Sequence, residues 1–157
     1  MKKAAILCMI GIILAGCSLL APKNEEAQAE AAVTAFFEHL SKGEYAQAAD
    51  MYGAGYEELT YFNPNIPEEE HAALWRNVCE VNGFQCLPVL RVIDTEKFSL
   101  NEFMVTVEFR AADGQPFVFG PCCGASEEEM PPETQFQMFA IERDGQYLVT
   151  SLPVFVP

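Results

Sequence analysis

The sequence is poor in positive charge. Nine Lys and Arg stand against 23 Asp and Glu, a net charge of −14 over 157 residues. Binding to nucleic acid needs a basic face that displaces counterions from phosphate, so this balance argues against such a partner. Histidine is equally scarce. His39 and His71 are the only two, and neither has a cysteine or a second histidine at ligand spacing. No EF-hand-like loop is present, so the many carboxylates read as solvated surface or helix starts rather than a cation site. No cofactor and no metal are expected, and no residue is nominated as catalytic. No segment recurs with a solenoid or collagen period. An apolar fraction of 50% excludes a disordered chain. The length leaves room for one ordinary domain and not two.

What is present begins at the N-terminus. Lys2 and Lys3 precede a short apolar run, Ala4 to Leu14. The run is too short for a stable span but suits the apolar part of an export signal. It closes on Leu14-Ala15-Gly16-Cys17. This segment resembles the lipobox of bacterial lipoprotein precursors. The resemblance implies acylation of the Cys17 thiol, cleavage before it, and a lipid-anchored place in the cell envelope outside the cytoplasm. Removing residues 1–16 takes away Lys2 and Lys3 and leaves 141 residues with a net charge of −16. An anionic lipid surface repels such a chain, so the acyl chains would have to hold it. Residues 17–28 read as a polar tether, and residues 29–157 as the folded domain.

In the body of the chain, Val33, Phe36, Phe37 and Leu40 recur at i, i+3, i+4 and i+7, which predicts a helix over 26–42 that stops at Gly43. Tyr45, Ala48, Ala49 and Tyr52 predict a second, short helix. The stretch from Tyr56 to Asn65 reads as a loop or a single turn. Pro67 followed by Glu68, Glu69 and Glu70 predicts a third helix opening at Pro67, with Ala72, Trp75, Val78 and Cys79 inward and Asn82-Gly83 as its end. From there the period is two. Val89 to Ile93 is a short strand. Phe98 to Arg110 alternates, with Phe103, Val105, Val107 and Phe109 on one face. Asp113-Gly114 predicts a hairpin returning through Phe117 to Phe119, and Gly120 to Pro132 a loop. A second hairpin pairs 134–142 with 147–152 around Asp144-Gly145.

Helices first and antiparallel strands after them give an α+β fold, about three helices packed on a curved sheet of four to five strands. The segments Ala32 to Ala49 and Phe139 to Val149 resemble the nuclear-transport-factor-2-like (cystatin-like) superfamily, and within it the small bacterial lipoproteins of unknown function. Related chains usually carry Trp where this one has Tyr147. The resemblance implies a cone-shaped domain with an apolar interior. Some enzymes of that superfamily, such as ketosteroid isomerases, place a tyrosine and carboxylates in the cone; their motif does not match this chain residue by residue.

Of six cysteines, Cys8 would leave with the signal and Cys17 would carry lipid. Cys79, Cys86, Cys122 and Cys123 remain, an even number in an exported domain, which reads as disulfides. A bond between the adjacent Cys122 and Cys123 is far from usual geometry. The pairing favoured on that ground joins Cys79 and Cys86 each to one of the adjacent pair. The alternative is a Cys79–Cys86 bond with a vicinal or reduced pair at 122 and 123.

Twelve phenylalanines, five tyrosines and one tryptophan serve the core first. Tyr45, Asp50, Tyr52, Tyr56, Trp75 and Phe84 fall in helices and loops that would rim a concave mouth, and form the candidate pocket. The leading functional reading is a membrane-tethered, non-enzymatic module that binds a basic protein or a small apolar ligand. The alternatives are an isomerase-like or hydratase-like enzyme using a carboxylate in the cone, and a thiol or metal sensor using Cys122 and Cys123.

Overall fold

A computed structural model describes residues 24–156. The expected export signal, Cys17 and most of the expected tether lie outside the described residues. Four helices precede the sheet: α1 (Glu25–Ser41), α2 (Tyr45–Asp50), α3 (Glu57–Phe62) and α4 (His71–Glu80). The strands are β1 (Phe84–Gln85), β2 (Val89–Lys97), β3 (Glu102–Phe109), β4 (Phe136–Arg143), β5 (Gln146–Val149) and β6 (Val154–Phe155). Strands β2-β3-β4-β5 form an open antiparallel sheet, and β1 pairs with β6 in a separate ribbon. The α+β architecture of helices on an antiparallel sheet is the one expected.

Helix α1 starts where Asn24 Oδ1 accepts from the Ala27 N–H at 3.3 Å, a side-chain N-cap. Residues 25–28, expected in the tether, are therefore its first turn. Its apolar stripe buries Val33, Phe36, Phe37 and Leu40 against the helix-facing side of the sheet. There the alternation of β3 places Phe103, Val105, Val107 and Phe109, all 1% exposed or less. The Phe37 and Phe109 rings meet edge to face at 4.7 Å. Trp75, Leu74 and Val78 of α4 close the layer from the other side, with the indole 5.4 Å from the Phe36 ring. Aromatic side chains thus fill the space between helices and sheet, each adding roughly 2–3 kcal/mol of apolar burial.

Three local expectations are corrected. Residues 57–62 form a six-residue helix where a loop or a single turn was expected. Helix α4 begins at His71 rather than Pro67. The Glu70 N–H donates to Pro67 O at 3.0 Å in a separate turn, so Glu68 to Glu70 do not form its first turn. No continuous return strand forms at 117–119; the segment is held by single bridges, Arg110 with Pro116 and Phe119 with Glu133, and by the Phe117 N–H donating to Phe109 O at 2.8 Å. From Val107 back to Glu102 that edge of β3 is taken by β4, which pairs Val107 with Phe136, so the returning segment has no room to extend its ladder. Strand β2 is longer than expected, reaching Lys97, with register shifts between Val89 and Arg91 and between Val92 and Asp94 that bend it.

The outer edge of β5 is covered by the chain leaving α2. Gly53 N–H donates to Val149 O, and Val149 N–H to Met51 O, both at 2.8 Å. A Cβ on Gly53 would sit 2.7 Å from Leu148 Cβ, so this close approach needs glycine. At the β4–β5 turn, Asp144 (φ 55°) and Gly145 (φ 81°) take the paired left-handed conformation of a two-residue hairpin turn.

Candidate functional site

The six candidate pocket residues divide among four places. Tyr52, Tyr56 and Trp75 belong to one aromatic cluster. Tyr52 lies edge-on to Tyr56 at 5.3 Å and to Trp75 at 5.0 Å, and stacks on Phe36 at 6.1 Å. The Trp75 N–H donates to Tyr56 Oη at 3.4 Å, and that hydroxyl donates to Ala49 O at 3.5 Å. His71 stacks flat on Tyr56 at 3.9 Å. Trp75 and Tyr56 are buried, so this cluster is core. Of the three candidates in it, Tyr52 is the one that reaches the surface.

There Tyr52 joins Phe84 in lining a groove of about 590 Å³, within the size range of small-ligand sites. Leu152, Pro153 and Phe155 complete its apolar wall, and Glu57 and Glu58 line it with carboxylates. The groove forms because α3 packs beside the β1–β6 ribbon: Phe62 touches Phe84 edge to face at 5.3 Å, and Phe84 meets Phe155 at 5.1 Å. Phe155 remains 41% exposed. Burial, followed by the negative charge of Glu58, holds the Tyr52 phenol well above its ordinary pKa, so its hydroxyl stays a proton donor. Among the described residues, neither Glu57 nor Glu58 is in an ion pair.

Asp50 and Tyr45 stand apart. Asp50 is an exposed residue at the end of α2, not a carboxylate in the apolar interior. It lines a second groove of about 480 Å³ between α2 and α4 with Glu69, Glu70, His71 and Arg76 over a floor of alanines. Tyr45 is buried, and its hydroxyl donates to Glu80 at 3.0 Å. Burial and that contact raise its pKa. The carboxylate that does lie inside the fold is Glu108, 4% exposed, on the far face of β3 and paired with Arg91 at 2.7 Å. His39, at the end of α1, faces Glu44 at 2.6 Å.

Cys79 and Cys86 are bonded to each other, with Cα atoms 5.4 Å apart. The cross-linked pairing to Cys122 and Cys123 is thereby corrected. The end of α4 and strand β1 fold back through Gly83, which brings the two cysteines within disulfide reach. Cys122 and Cys123 are free, at the surface, with sulfurs 2.8 Å apart. Their shared contact raises the Cys122 thiol pKa.

Glu57, Glu58, Leu152 and Phe155 were not among the sequence candidates. Glu57 and Glu58 open the unforeseen helix α3, and the C-terminal residues reach the groove only through β1–β6 pairing. Among the described residues, no group of three or more His, Cys, Asp or Glu could hold a metal ion, and no helix is long and apolar enough to cross a membrane. No protein-family model matches the chain, and no curated protein matches its sequence.

Proposed function

We propose that the chain is an extracytoplasmic, lipid-anchored lipoprotein of the bacterial envelope whose domain binds rather than catalyses. Its ligand is a basic protein segment with apolar side chains. The observation that carries this reading is the groove of Tyr52, Phe84 and Phe155 bordered by the unpaired Glu57 and Glu58. Aromatic walls favour apolar groups, and two exposed carboxylates favour a cation beside them. The second groove fits less well, because Arg76 opposes its acidic residues over an alanine floor. The anchor rests on the lipobox ending at Cys17 and on the apolar run before it.

The test is a titration with short peptides that alternate leucine with arginine or leucine with glutamate. Trp75 is the sole tryptophan and touches Tyr52, so its emission reports occupancy of the groove. The basic peptide should bind, more weakly as salt rises, and replacing Glu57 and Glu58 together with Gln should weaken it several-fold. Equal binding of both peptides, or binding indifferent to the double substitution, would overturn the reading.

A further inference from the structure

The turn joining β2 to β3, Phe98-Ser99-Leu100-Asn101, is built against the usual preference for polar turn residues. Leu100 is 90% exposed and Phe98 61%. The turn is nonetheless ordered. The N–H groups of Phe98 and Ser99 both donate to Glu102 O, at 2.8 and 3.1 Å. The Asn101 side chain donates to Glu142 O at 3.3 Å. The Phe98 ring meets Phe139 edge to face at 5.4 Å. At the base of the turn, Lys97 Nζ lies 2.7 Å from Glu25 Oε2 in the first turn of α1. The apolar turn is therefore fixed at the end of the domain where the chain arrives from residue 24. Cys17 is seven residues upstream of Asn24, a reach of at most about 25 Å.

We infer that this turn rests in the interfacial layer of the bilayer beside the lipid anchor, with Leu100 and Phe98 entering the headgroup–acyl boundary. The inference rests on the lipoprotein reading and deepens it, because it sets the orientation of the domain. The lipid class follows from charge. Glu96 and Glu102 flank the turn in sequence, and Glu25 pairs with Lys97 at its base, so an anionic surface is unfavourable and the match is a zwitterionic one. Two side chains are too little to hold a protein on a membrane alone, but enough to orient one that is already anchored. The opposite tip of the sheet, the turn at Asp113-Gly114, would then point into the aqueous phase.

The test uses the full, lipidated chain in phosphatidylcholine vesicles, with and without bromine on the acyl chains. Three forms are compared: wild type, Leu100→Trp, and Asp113→Trp at the opposite tip. The added emission of L100W should shift to the blue and fall by about half or more with brominated lipid, as expected for a group at the boundary. Trp75, buried in the core, and the added Trp of D113W should be unquenched. Phe98→Trp should repeat the L100W result. If the protein floats with the vesicles but L100W and F98W emit as in water, the docking is overturned and the anchor stands. If the wild type stays in the aqueous phase, the anchored reading fails and the docking fails with it.

Discussion

The Tyr52 ring stands edge-on to the indole of Trp75 at 5.0 Å and 84°, which couples the one tryptophan of the core to the residue lining the groove. Trp75 is completely buried, so Trp75→Ala leaves a large cavity. It should destabilise the domain by about 3–5 kcal/mol in a denaturant titration. Tyr52→Phe keeps the ring contacts and should cost far less while altering groove occupancy. A tolerated W75A would mean that the aromatic cluster is not the core described.

Alkaline pH tests the same cluster. Burial raises the pKa of Tyr45, Tyr52 and Tyr56 in the folded state. The unfolded phenols ionise near pH 10. Below that value the folded and unfolded forms bind the same protons and stability is unaffected. Above it the unfolded state loses protons first, so stability falls as pH rises toward the folded pKa values. Urea midpoints should be flat from about pH 7 to 9 and decline beyond about pH 10. The decline should be shallower in Tyr52→Phe.

These two expectations rest on parts of the fold that a linear reading reaches. The stripe Val33, Phe36, Phe37, Leu40 and the alternation Phe103, Val105, Val107, Phe109 are buried as their periods require. Each element is long enough for one face to dominate. What was not legible is short or tertiary. Helix α3 has six residues and is followed closely by Pro64, so its periodicity is too brief to separate from a turn. Pro67 with three glutamates is an apt helix start, yet the chain turns there and α4 begins after it. The groove is harder still: Phe84 and Phe155 are far apart in sequence and meet only through β1–β6 pairing.

The cysteines give a chemical check on the same point. Cys79 and Cys86 should resist alkylation in the native protein, whereas Cys122 and Cys123 should react, faster at alkaline pH because the Cys122 thiol is raised. The bonded pair is separated by seven positions, a loop whose closure contributes roughly 2 kcal/mol, so reduction should lower the melting temperature by several degrees. Mass mapping that links Cys79 or Cys86 to the 122–123 pair would restore the cross-linked arrangement.

On the far face of the sheet, Arg91 is exposed but Glu108 is 4% exposed. Arg91→Ala strands a buried carboxylate and should cost about 1–3 kcal/mol. Replacing both residues with apolar ones should recover part of that loss, because the desolvated charge goes too. If the double variant is no more stable than R91A, the ion pair contributes mainly through packing of the Arg91 stem.

The anchor makes the last prediction. With residues 1–16 removed, as the proposed anchor requires, the chain would carry −16 and have no electrostatic means of holding an anionic surface. The turn at Phe98 and Leu100 offers only two apolar side chains, less than a single acyl chain, which itself binds only marginally. The thiol of Cys17 would then supply essentially all of the affinity. Cys17→Ser should move the protein completely from the membrane fraction to the soluble one, and neither low nor high salt should bring it back. A partial shift would imply a second attachment with real affinity. Wild-type protein recovered in solution with an unmodified N-terminus would remove the lipid anchor altogether, and the domain would then have to be understood as a free binding module.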